Sequence, residues 1–238
     1  MFFYTVMKTP IVYLPFMIVL YLSCSPRPQS PADIHTDLSN NKILQLSELF
    51  DRIRYIPLET PDTALIANVQ AITYHNGRYY LIAENTLYVF NRHGQYLSQH
   101  NNRGRGANEY SSIFKVKSSI GDSVLYVSGD NGKGHIVMAY DKNGNYLKTL
   151  IQNRSFNMEF NVLENGIIIS DGRTVSLYDK QGKLENEIRI SPFDSISFGT
   201  SNHLSDFSSQ EVIFSCPGSD TLYFLGKSGI TRKISLDY

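Results

Sequence analysis

The chain has 238 residues, of which 42% are hydrophobic, and it carries 22 basic and 22 acidic residues. This length and apolar content suffice for one sizeable folded unit. The formal net charge of zero gives no general attraction for a polyanion, which argues against nucleic acid as a partner. The two cysteines, Cys24 and Cys216, are too few for a disulfide framework.

The N-terminal segment combines one positive charge, a short apolar run and a cysteine. Lys8 is followed by a mostly apolar stretch that ends in Leu22-Ser23-Cys24. The stretch is short for a membrane span and ends in a processing pattern. It resembles a bacterial lipoprotein signal peptide with a lipobox at Cys24; the alternative is an ordinary signal peptide with an incidental cysteine. The resemblance implies that residues 1–23 are removed and that Cys24 is lipidated.

A lipid anchor would place the protein in the bacterial cell envelope. Each buried methylene of an acyl chain contributes about 0.8 kcal/mol, so several chains anchor a protein durably. We therefore expect the membrane to be a partner through the lipid. The outer membrane is favoured, and the sequence leaves open whether the protein faces the periplasm or the cell surface.

Residues 24–43 have the composition of a flexible tether. They contain Pro26, Pro28 and Pro31, and proline fixes φ and donates no backbone hydrogen bond. A short helical turn follows, with Ser47 as its expected cap. Residues 52–58 then alternate with period two, which predicts a strand, and Pro57 places that strand at an edge.

A hairpin motif recurs along the rest of the chain. In its clearest copy, an alternating run reaches Asn143-Gly144 and leaves as a second alternating run; this dipeptide predicts a two-residue type I′ turn. Other copies have their glycine at Gly94, Gly182 and Gly229. Hairpins that recur at intervals of about 40 to 50 residues are typical of a β-propeller.

The fold prediction is therefore an all-β propeller over residues 44–238. The spacing of turn residues divides it into about four four-stranded blades. We expect these blades at about residues 68–100, 112–151, 156–190 and 197–237, with residues 52–58 as the closing strand.

The loop between the first two predicted blades carries the most specific resemblance. The run from Phe90 to Gly144 resembles NHL-type propeller repeats. Residues 104–110, Gly-Arg-Gly-Ala-Asn-Glu-Tyr, resemble the GRGPGEY signature of six-bladed β-propeller lipoproteins of the Bacteroidetes, with Ala-Asn in place of Pro-Gly. The resemblance implies a six-bladed ring. Because the chain has room for only about four blades, we expect an open or incomplete ring with uncovered apolar faces on its first and last blades. The alternative is a compact four-bladed ring.

The same loop is the candidate site that the sequence offers. Arginine provides a planar fork for carboxylates, and glycines leave backbone N–H groups accessible, which suggests an anion or carboxylate site. The structural alternative, favoured by the repeat setting, is that these residues fix a loop between blades. The residues concerned are Arg103, Gly104, Arg105, Gly106, Glu109 and Tyr110.

One candidate modification site lies before the first blade. Asp62-Thr63-Ala64 resembles the short Asp-Ser/Thr-apolar acceptor pattern of Bacteroidetes O-glycosylation. Thr63 follows a proline in an expected loop, and turn chemistry alone explains many such matches.

The functional expectation is a non-catalytic envelope lipoprotein whose propeller is a binding or scaffold domain, with a protein or glycan as partner. The histidines are scattered, and no nucleophile–base grouping can be identified. No catalytic, cofactor-binding or metal-binding residue is therefore assigned. The alternatives are an NHL-like metal-dependent lyase or hydrolase and a cell-surface glycan-binding protein.

Overall fold

A computed structural model describes residues 34–35, 45–106, 108–119, 121, 123–154, 158–190, 203–215 and 220–237. Cys24 and the expected signal peptide lie outside these ranges. Within the ranges the chain forms one helix, α1 (Leu46–Leu49), and a series of strands. The strands are β1 (Ile34–His35), β2 (Val69–His75), β3 (Arg78–Ala83), β4 (Thr86–Asn91), β5 (Tyr96–His100), β6 (Ser112–Ser118), β7 (Leu125–Asp130), β8 (His135–Tyr140), β9 (Tyr146–Asn153), β10 (Glu159–Leu163), β11 (Gly166–Ser170), β12 (Thr174–Tyr178), β13 (Leu184–Arg189), β14 (His203–Asp206), β15 (Val212–Ser215), β16 (Thr221–Gly226) and β17 (Gly229–Asp237).

The strands form four antiparallel meanders, which we call blades one to four: β2–β5, β6–β9, β10–β13 and β14–β17. In each blade, strands that are consecutive in the chain are neighbours in the sheet. The first strands of the blades contact one another in chain order, β2 with β6, β6 with β10, and β10 with β14. The predicted all-β, open or incomplete propeller of about four blades is confirmed.

A separate apolar cluster fills each of the three interfaces between consecutive blades. Tyr80 and Met138 belong to the cluster between blades one and two, Phe160 to the next, and Phe214 to the cluster between blades three and four. The strands alternate, so each sheet presents apolar side chains to a neighbour on either side. Each described interface is therefore a small core of its own, as in other repeat architectures.

The recurring turn differs from the prediction. Residues 141–144 form a four-residue turn that Gly144 N–H closes on the Asp141 carbonyl, at 3.0 Å. Gly144 has φ +87°, which corresponds to a type I turn followed by a left-handed glycine. The two-residue type I′ prediction is therefore wrong at Asn143-Gly144. In the turn between β2 and β3, at Asn76-Gly77, both central residues have positive φ, 47° and 77°.

A side chain at the start of the turn accounts for this geometry. The Asp141 Oδ1 accepts hydrogen bonds from the N–H groups of Asn143 and Asn145, each at 2.8 Å. Asn91 and Asp179 begin the corresponding turns of blades one and three in the same way. These bonds stabilise the longer turn over the two-residue one.

The turn glycine of a blade lies against the preceding blade. Gly144, Gly182 and Gly229 all have positive φ, and a Cβ on any of them would be within 3 Å of an atom of that neighbour. Positive φ favours glycine at all three positions, and the close approach adds to this most strongly at Gly182, where the neighbouring atom belongs to the backbone. The nearest neighbours are His100 for Gly144, Leu150 for Gly182 and Ile188 for Gly229.

Residues 52–58 are not a strand, so the predicted closing strand is corrected. They run beside the corresponding turn of blade one, where a Cβ on Gly94 would be 2.0 Å from the Pro57 carbonyl oxygen. Glu59 N–H donates to the Gly94 carbonyl at 2.8 Å, and Tyr96 N–H donates to a Glu59 carboxylate oxygen at 2.8 Å. The segment pairs with no strand that the structure describes.

The outer edge of blade four is paired by another part of the chain. Ile34 and His35, within the predicted tether, form β1, which pairs in parallel with Leu236 and Asp237 of β17.

The helix α1 begins at Leu46, after Gln45, and has no side-chain cap. Ser47 therefore lies inside the helix and is not the cap that the sequence predicts.

The outward face of blade one is covered in part, which corrects the expectation of an uncovered face for the covered portion only. Ala64 belongs to an apolar cluster with Leu81 and Phe90 of blade one, and Leu58 and Ile66 pack against this cluster. Near the axis the same blade leaves side chains exposed: Ile72 is 59% and Tyr74 is 54% exposed.

Candidate functional site

The loop of residues 101–110 is held by bonds within itself. Gly104 N–H donates to the Tyr110 carbonyl at 2.9 Å, and Tyr110 N–H donates to the Asn102 carbonyl at 3.2 Å. Gly106 N–H donates to Glu109 Oε2 at 2.6 Å. The carboxylate of Glu109 thus occupies the backbone donor of Gly106, which an external anion would otherwise use.

Tyr110 anchors this loop in the core. It is fully buried, its hydroxyl donates to the Asn85 carbonyl at 2.8 Å, and the Asn102 N–H donates to the same hydroxyl at 3.1 Å. Burial raises the pKa of Tyr110, with the Asn102 N–H acting in the opposite sense. A Cβ on Gly104 would be 1.9 Å from Glu109 Oε2, so that glycine provides the space in which the carboxylate lies.

The guanidinium groups of Arg103 and Arg105 lie outside this network, although the Arg103 backbone bridges to Tyr110. Both are exposed, and neither forms an ion pair with a residue that the structure describes. The structure therefore brings Gly104, Gly106, Glu109 and Tyr110 together but not the two guanidinium groups. This geometry favours the structural alternative, and the anion site stays a prediction.

Thr63 lies where the sequence predicted a loop. It is exposed, in a turn that Ala64 N–H closes on the Pro61 carbonyl at 2.7 Å. The side chain is accessible to a modifying enzyme, and its glycosylation stays a prediction.

A pocket that the sequence did not indicate lies at one end of the propeller axis. We call it the axial pocket; it has a volume of about 400 Å³ and is lined by all four blades. The lining side chains are mostly polar and come from the ends of the first strands and the turns that follow them. They belong to Ile72, Thr73, Tyr74, His75, Lys117, Ser118, Ser119, Val162, Asp206, Phe207, Ser208 and Ser209.

An ion pair crosses this pocket. The Lys117 Nζ of blade two lies 2.7 Å from the Asp206 Oδ2 of blade four, while Lys115 pairs with Glu159 of blade three. Burial raises the pKa of Asp206, but the hydrogen bond from Lys117 and the charges of Lys117 and Lys115 outweigh it and hold this pKa below its usual value. Asp206 is therefore an anion at neutral pH.

Uncharged donors and acceptors complete the lining. Ser119 is 4% exposed, and its hydroxyl has no hydrogen-bond partner among the described residues. His75 is also buried and bonds to Asn76 at 2.8 Å. A buried hydroxyl without a partner is costly, so a ligand or water at this end of the axis would have a polar group to satisfy.

The sequence contained a weak signal for this pocket. Lys115, Lys117, Glu159 and Asn161 interrupt otherwise apolar first strands. Charged groups on a half-buried strand are uncommon unless they are paired. The separations of these residues along the chain do not indicate which strand ends meet at the propeller axis. Only the fold therefore shows that these positions converge.

A larger groove of about 520 Å³ lies between turns of blades three and four. Its walls come from those two blades alone, including Asn165, Glu211 and Lys227. The Glu211 carboxylate already accepts the Thr231 hydroxyl. The axial pocket is the better candidate because four blades converge on it and it contains a buried hydroxyl without a described partner.

His135 is the other unusual titratable group. It is 2% exposed, and its Nε2 has no partner among the described residues. Burial lowers its pKa to about 4, against the opposing charge of Asp130. The described residues contain no group of three or more His, Cys, Asp or Glu side chains that could hold a metal ion, and no described helix is long and apolar enough to cross a membrane.

Comparison with known proteins identifies the family and the fold. The profile of DUF4934, a domain of unknown function, matches residues 31–238. No curated protein matches the sequence. The chain superposes on BF0058 of Bacteroides fragilis, a protein assigned as exported, with a TM-score of 0.63 and 18% identity, over 87% of this chain and 59% of that one.

A second similar structure is apo AztD from Citrobacter koseri. The TM-score is 0.54 at 14% identity, over 73% of this chain and 48% of AztD. The chain thus spans about half to three-fifths of the length of these two neighbours. At such identities the similarity establishes the fold and not the activity.

Proposed function

The chain belongs to the DUF4934 family, and we propose that it is a non-catalytic lipoprotein of the bacterial envelope whose propeller binds a ligand or partner at the axial pocket. The observation that carries this proposal is the convergence of polar side chains from all four blades on one cavity. Pockets of this size with a few convergent polar groups are the usual binding sites of folded domains.

Two charged side chains give the axial pocket its selectivity. Lys117 and Asp206 present opposite charges within one cavity, and hydroxyl groups surround them. Such a lining suits a polar or zwitterionic group, which can replace both the ion pair and the bonds of displaced water. We therefore expect the bound group to be polar, whether it is a small molecule or an exposed part of a partner protein.

Charge reversal in the pocket tests this role. The tagged full-length protein would be purified in detergent from its own envelope as wild type, as Lys117→Glu and as Lys148→Glu. Lys148 is an exposed lysine on β9 and serves as the matched control. We expect co-purifying partners to be lost with Lys117→Glu and kept with Lys148→Glu. Retention of every partner by both variants would contradict the proposal.

Envelope anchoring rests on Cys24. The sequence resembles a lipobox, and BF0058, which is assigned as exported, shares the fold. We expect Cys24→Ala to abolish incorporation of labelled palmitate and to release the protein from membranes. Cys216→Ala is the matched control and should keep its label. Equal labelling of the wild type and of Cys24→Ala would contradict the anchor.

Glycan binding is the second candidate function. Tyr74, which is 54% exposed, lines the pocket beside Ser118 and Ser208. An aromatic face next to hydroxyl groups suits a sugar ring. Arrays carrying mannan, xylan and starch would be probed with wild type, Tyr74→Ser and Tyr55→Ser. Binding that is lost only with Tyr74→Ser supports this function, and an absence of binding or equal binding by both variants opposes it.

The metal-dependent lyase or hydrolase remains a hypothesis without a supporting observation. A lyase of that kind would need a metal held by several side chains, and the described residues bring no such group together. We therefore derive no catalytic step.

A further inference from the structure

We infer that the ligand of the axial pocket is a free α-amino acid with an apolar side chain, an inference that rests on the binding function proposed above and names its ligand class. The first observation is the balance of charge. The described lining contains one lysine, Lys117, and one aspartate, Asp206, but no arginine or glutamate. A ligand with a single charge leaves one of these groups without a counter-charge, whereas a zwitterion satisfies both.

The spacing of the two charges narrows the class of zwitterion. Lys117 Nζ lies 2.7 Å from Asp206 Oδ2, so the opposite charges of the pocket are adjacent. In an α-amino acid the ammonium and the carboxylate are attached to the same carbon atom, so its charges are adjacent as well. Turned end to end, it presents its carboxylate to Lys117 and its ammonium to Asp206. A longer ω-amino acid reaches both groups only by bending its chain, which costs conformational entropy.

Both charged groups of the pocket can receive a ligand. The side chain of Asp206 is 68% exposed, and an ion pair of that exposure is exchanged at little cost. An ammonium group has three N–H donors, and the bond to Asp206 Oδ2 occupies one donor of Lys117. Lys117 can therefore bind a ligand carboxylate while it still contacts Asp206.

A buried hydroxyl provides a third point of recognition. Lys115 and Lys117 share one face of β6 and pair with the carboxylates of Glu159 and Asp206. Ser119 continues this spacing just beyond the strand. It is 4% exposed, lines the pocket and has no hydrogen-bond partner for its hydroxyl among the described residues. The second oxygen of a carboxylate bound to Lys117 would accept that hydroxyl and remove the cost of leaving it unpaired.

The remaining lining favours an apolar side chain on the ligand. Ile72, Tyr74 and Phe207 line the same pocket and are 59%, 54% and 51% exposed. Covering such side chains with an apolar group is favourable in proportion to the area removed from water. The volume of about 400 Å³ leaves room for that group beside the charged end. We therefore expect leucine or phenylalanine to bind more tightly than glycine.

Equilibrium dialysis of the purified full-length protein against four labelled compounds tests the inference. Leucine has both charges on one carbon atom. N-acetylleucine lacks the ammonium, leucinamide lacks the carboxylate, and ε-aminocaproate, an isomer of leucine, has its charges at opposite ends. We expect leucine to bind at least about tenfold more tightly than each of the other three.

Variants assign each part of the ligand to a side chain. Asp206→Asn should remove the preference for leucine over N-acetylleucine, and Lys117→Met should remove the preference over leucinamide. Ser119→Ala should weaken leucine binding by about fivefold or more. Ser123→Ala is the matched control, because Ser123 is an exposed serine outside the described lining, and it should bind leucine like the wild type.

Three results would overturn the inference: no binding of leucine or phenylalanine, equal binding of the four compounds, and preferences that Asp206→Asn and Lys117→Met leave unchanged. The co-purification experiment with Lys117→Glu separates this failure from that of the proposed function. Loss of partners with Lys117→Glu but no binding of amino acids would overturn the ligand class alone. Retention of every partner together with no binding of amino acids would overturn both.

Discussion

The two ends of the blade series differ in how they cover an apolar face. At blade one, a segment outside the sheet lies across the face, and Ala64 is 1% exposed within the apolar cluster there. At blade four, Phe224 is covered from within its own blade. Its ring packs edge-on against Phe207 at 5.0 Å and below the Arg232 guanidinium at 3.6 Å.

This difference predicts how rigid the covered face is at each end. The segment at blade one has a main-chain bond from Glu59 to Gly94 of a turn and a close contact with that glycine, and the glycine contact is also found between complete blades. The cover at blade four consists of a cation–π contact and a half-exposed aromatic ring, which side-chain rotation can open. We therefore expect the first end to be rigid and the second to be adaptable.

Truncating one phenylalanine at each end gives the largest expected effect. Phe90 and Phe224 are both buried, and replacing a buried phenylalanine by alanine costs about 3 to 5 kcal/mol. We expect Phe90→Ala to lie at the upper end of this range. Phe224→Ala should cost at least about 1 kcal/mol less, because the side chains of Phe207 and Arg232 can collapse into the space. Urea unfolding of both variants checks this; equal costs would mean that the two covers are equivalent.

Blade two, in the middle of the propeller, contains a buried histidine. The pKa of His135 is about 4 in the folded protein and 6.5 in the reference state. Between these values the unfolded chain binds more protons, so stability is complete above pH 6.5 and falls as the pH drops towards 4. The loss approaches about 3 kcal/mol.

His135→Gln is the control for this pH dependence. Its stability curve should be flatter between pH 6.5 and 4. The lowered pKa values of Asp141 and Asp206 act mainly below that window, because their ordinary value is 3.8. Parallel curves for the variant and the wild type, measured by chemical unfolding at several pH values, would exclude His135 as the cause.

Two glycines separate packing from backbone strain at blade one. Gly94 and Gly77 have similar φ values, 82° and 77°, but a Cβ meets Pro57 at Gly94 and nothing within 4 Å at Gly77. Gly77→Ala should cost about 1 kcal/mol for the left-handed backbone. Gly94→Ala should cost about 2 kcal/mol more, since it displaces residues 56–59. Equal costs in thermal unfolding would show that the contact with Pro57 does not hold the segment.

The smallest effect is expected at the axial pocket. The side chain of Asp206 is 68% exposed, so its pair with Lys117 should contribute about 0 to 1 kcal/mol. Lys117→Met should therefore change stability little, in contrast to the variants at blade one. Unfolding in low and high salt measures this, and a loss of several kcal/mol would mean that the pair connects blades two and four structurally.

Local sequence patterns predicted the blades well because each blade is built from neighbours in the chain. Alternation and turn glycines sufficed for the antiparallel meanders, and Asn76-Gly77 formed a turn with positive φ at both residues. The turn at Asn143-Gly144 was missed because the Asp141 carboxylate binds two N–H groups of a longer turn. A competing side-chain bond decided between two turns that the dipeptide alone allows.

The candidate site was harder to predict than the fold. The glycine-rich loop was conspicuous in the sequence, yet its acidic side chain bonds to the loop's own Gly106 N–H. The axial pocket depends on which strand ends meet at the axis, and Lys117 and Asp206 are far apart in the chain. Residues 52–58 were expected to be a closing strand because their sequence alternates, but alternation does not indicate which sheet a segment joins or whether it joins one.

Hydrogen exchange of residues 45–75 in the isolated chain tests the incomplete propeller most directly. The amide of Glu59 donates to the Gly94 carbonyl of blade one, and the amide of the buried Ala64 donates to the Pro61 carbonyl. Both amides should be protected together with blade one. The amides of residues 53–56 and 58, which have no described backbone partner, should exchange quickly. Protection of residues 53–58 equal to that of β15 would mean that this segment pairs with blade four and that the ring closes, which would contradict the account.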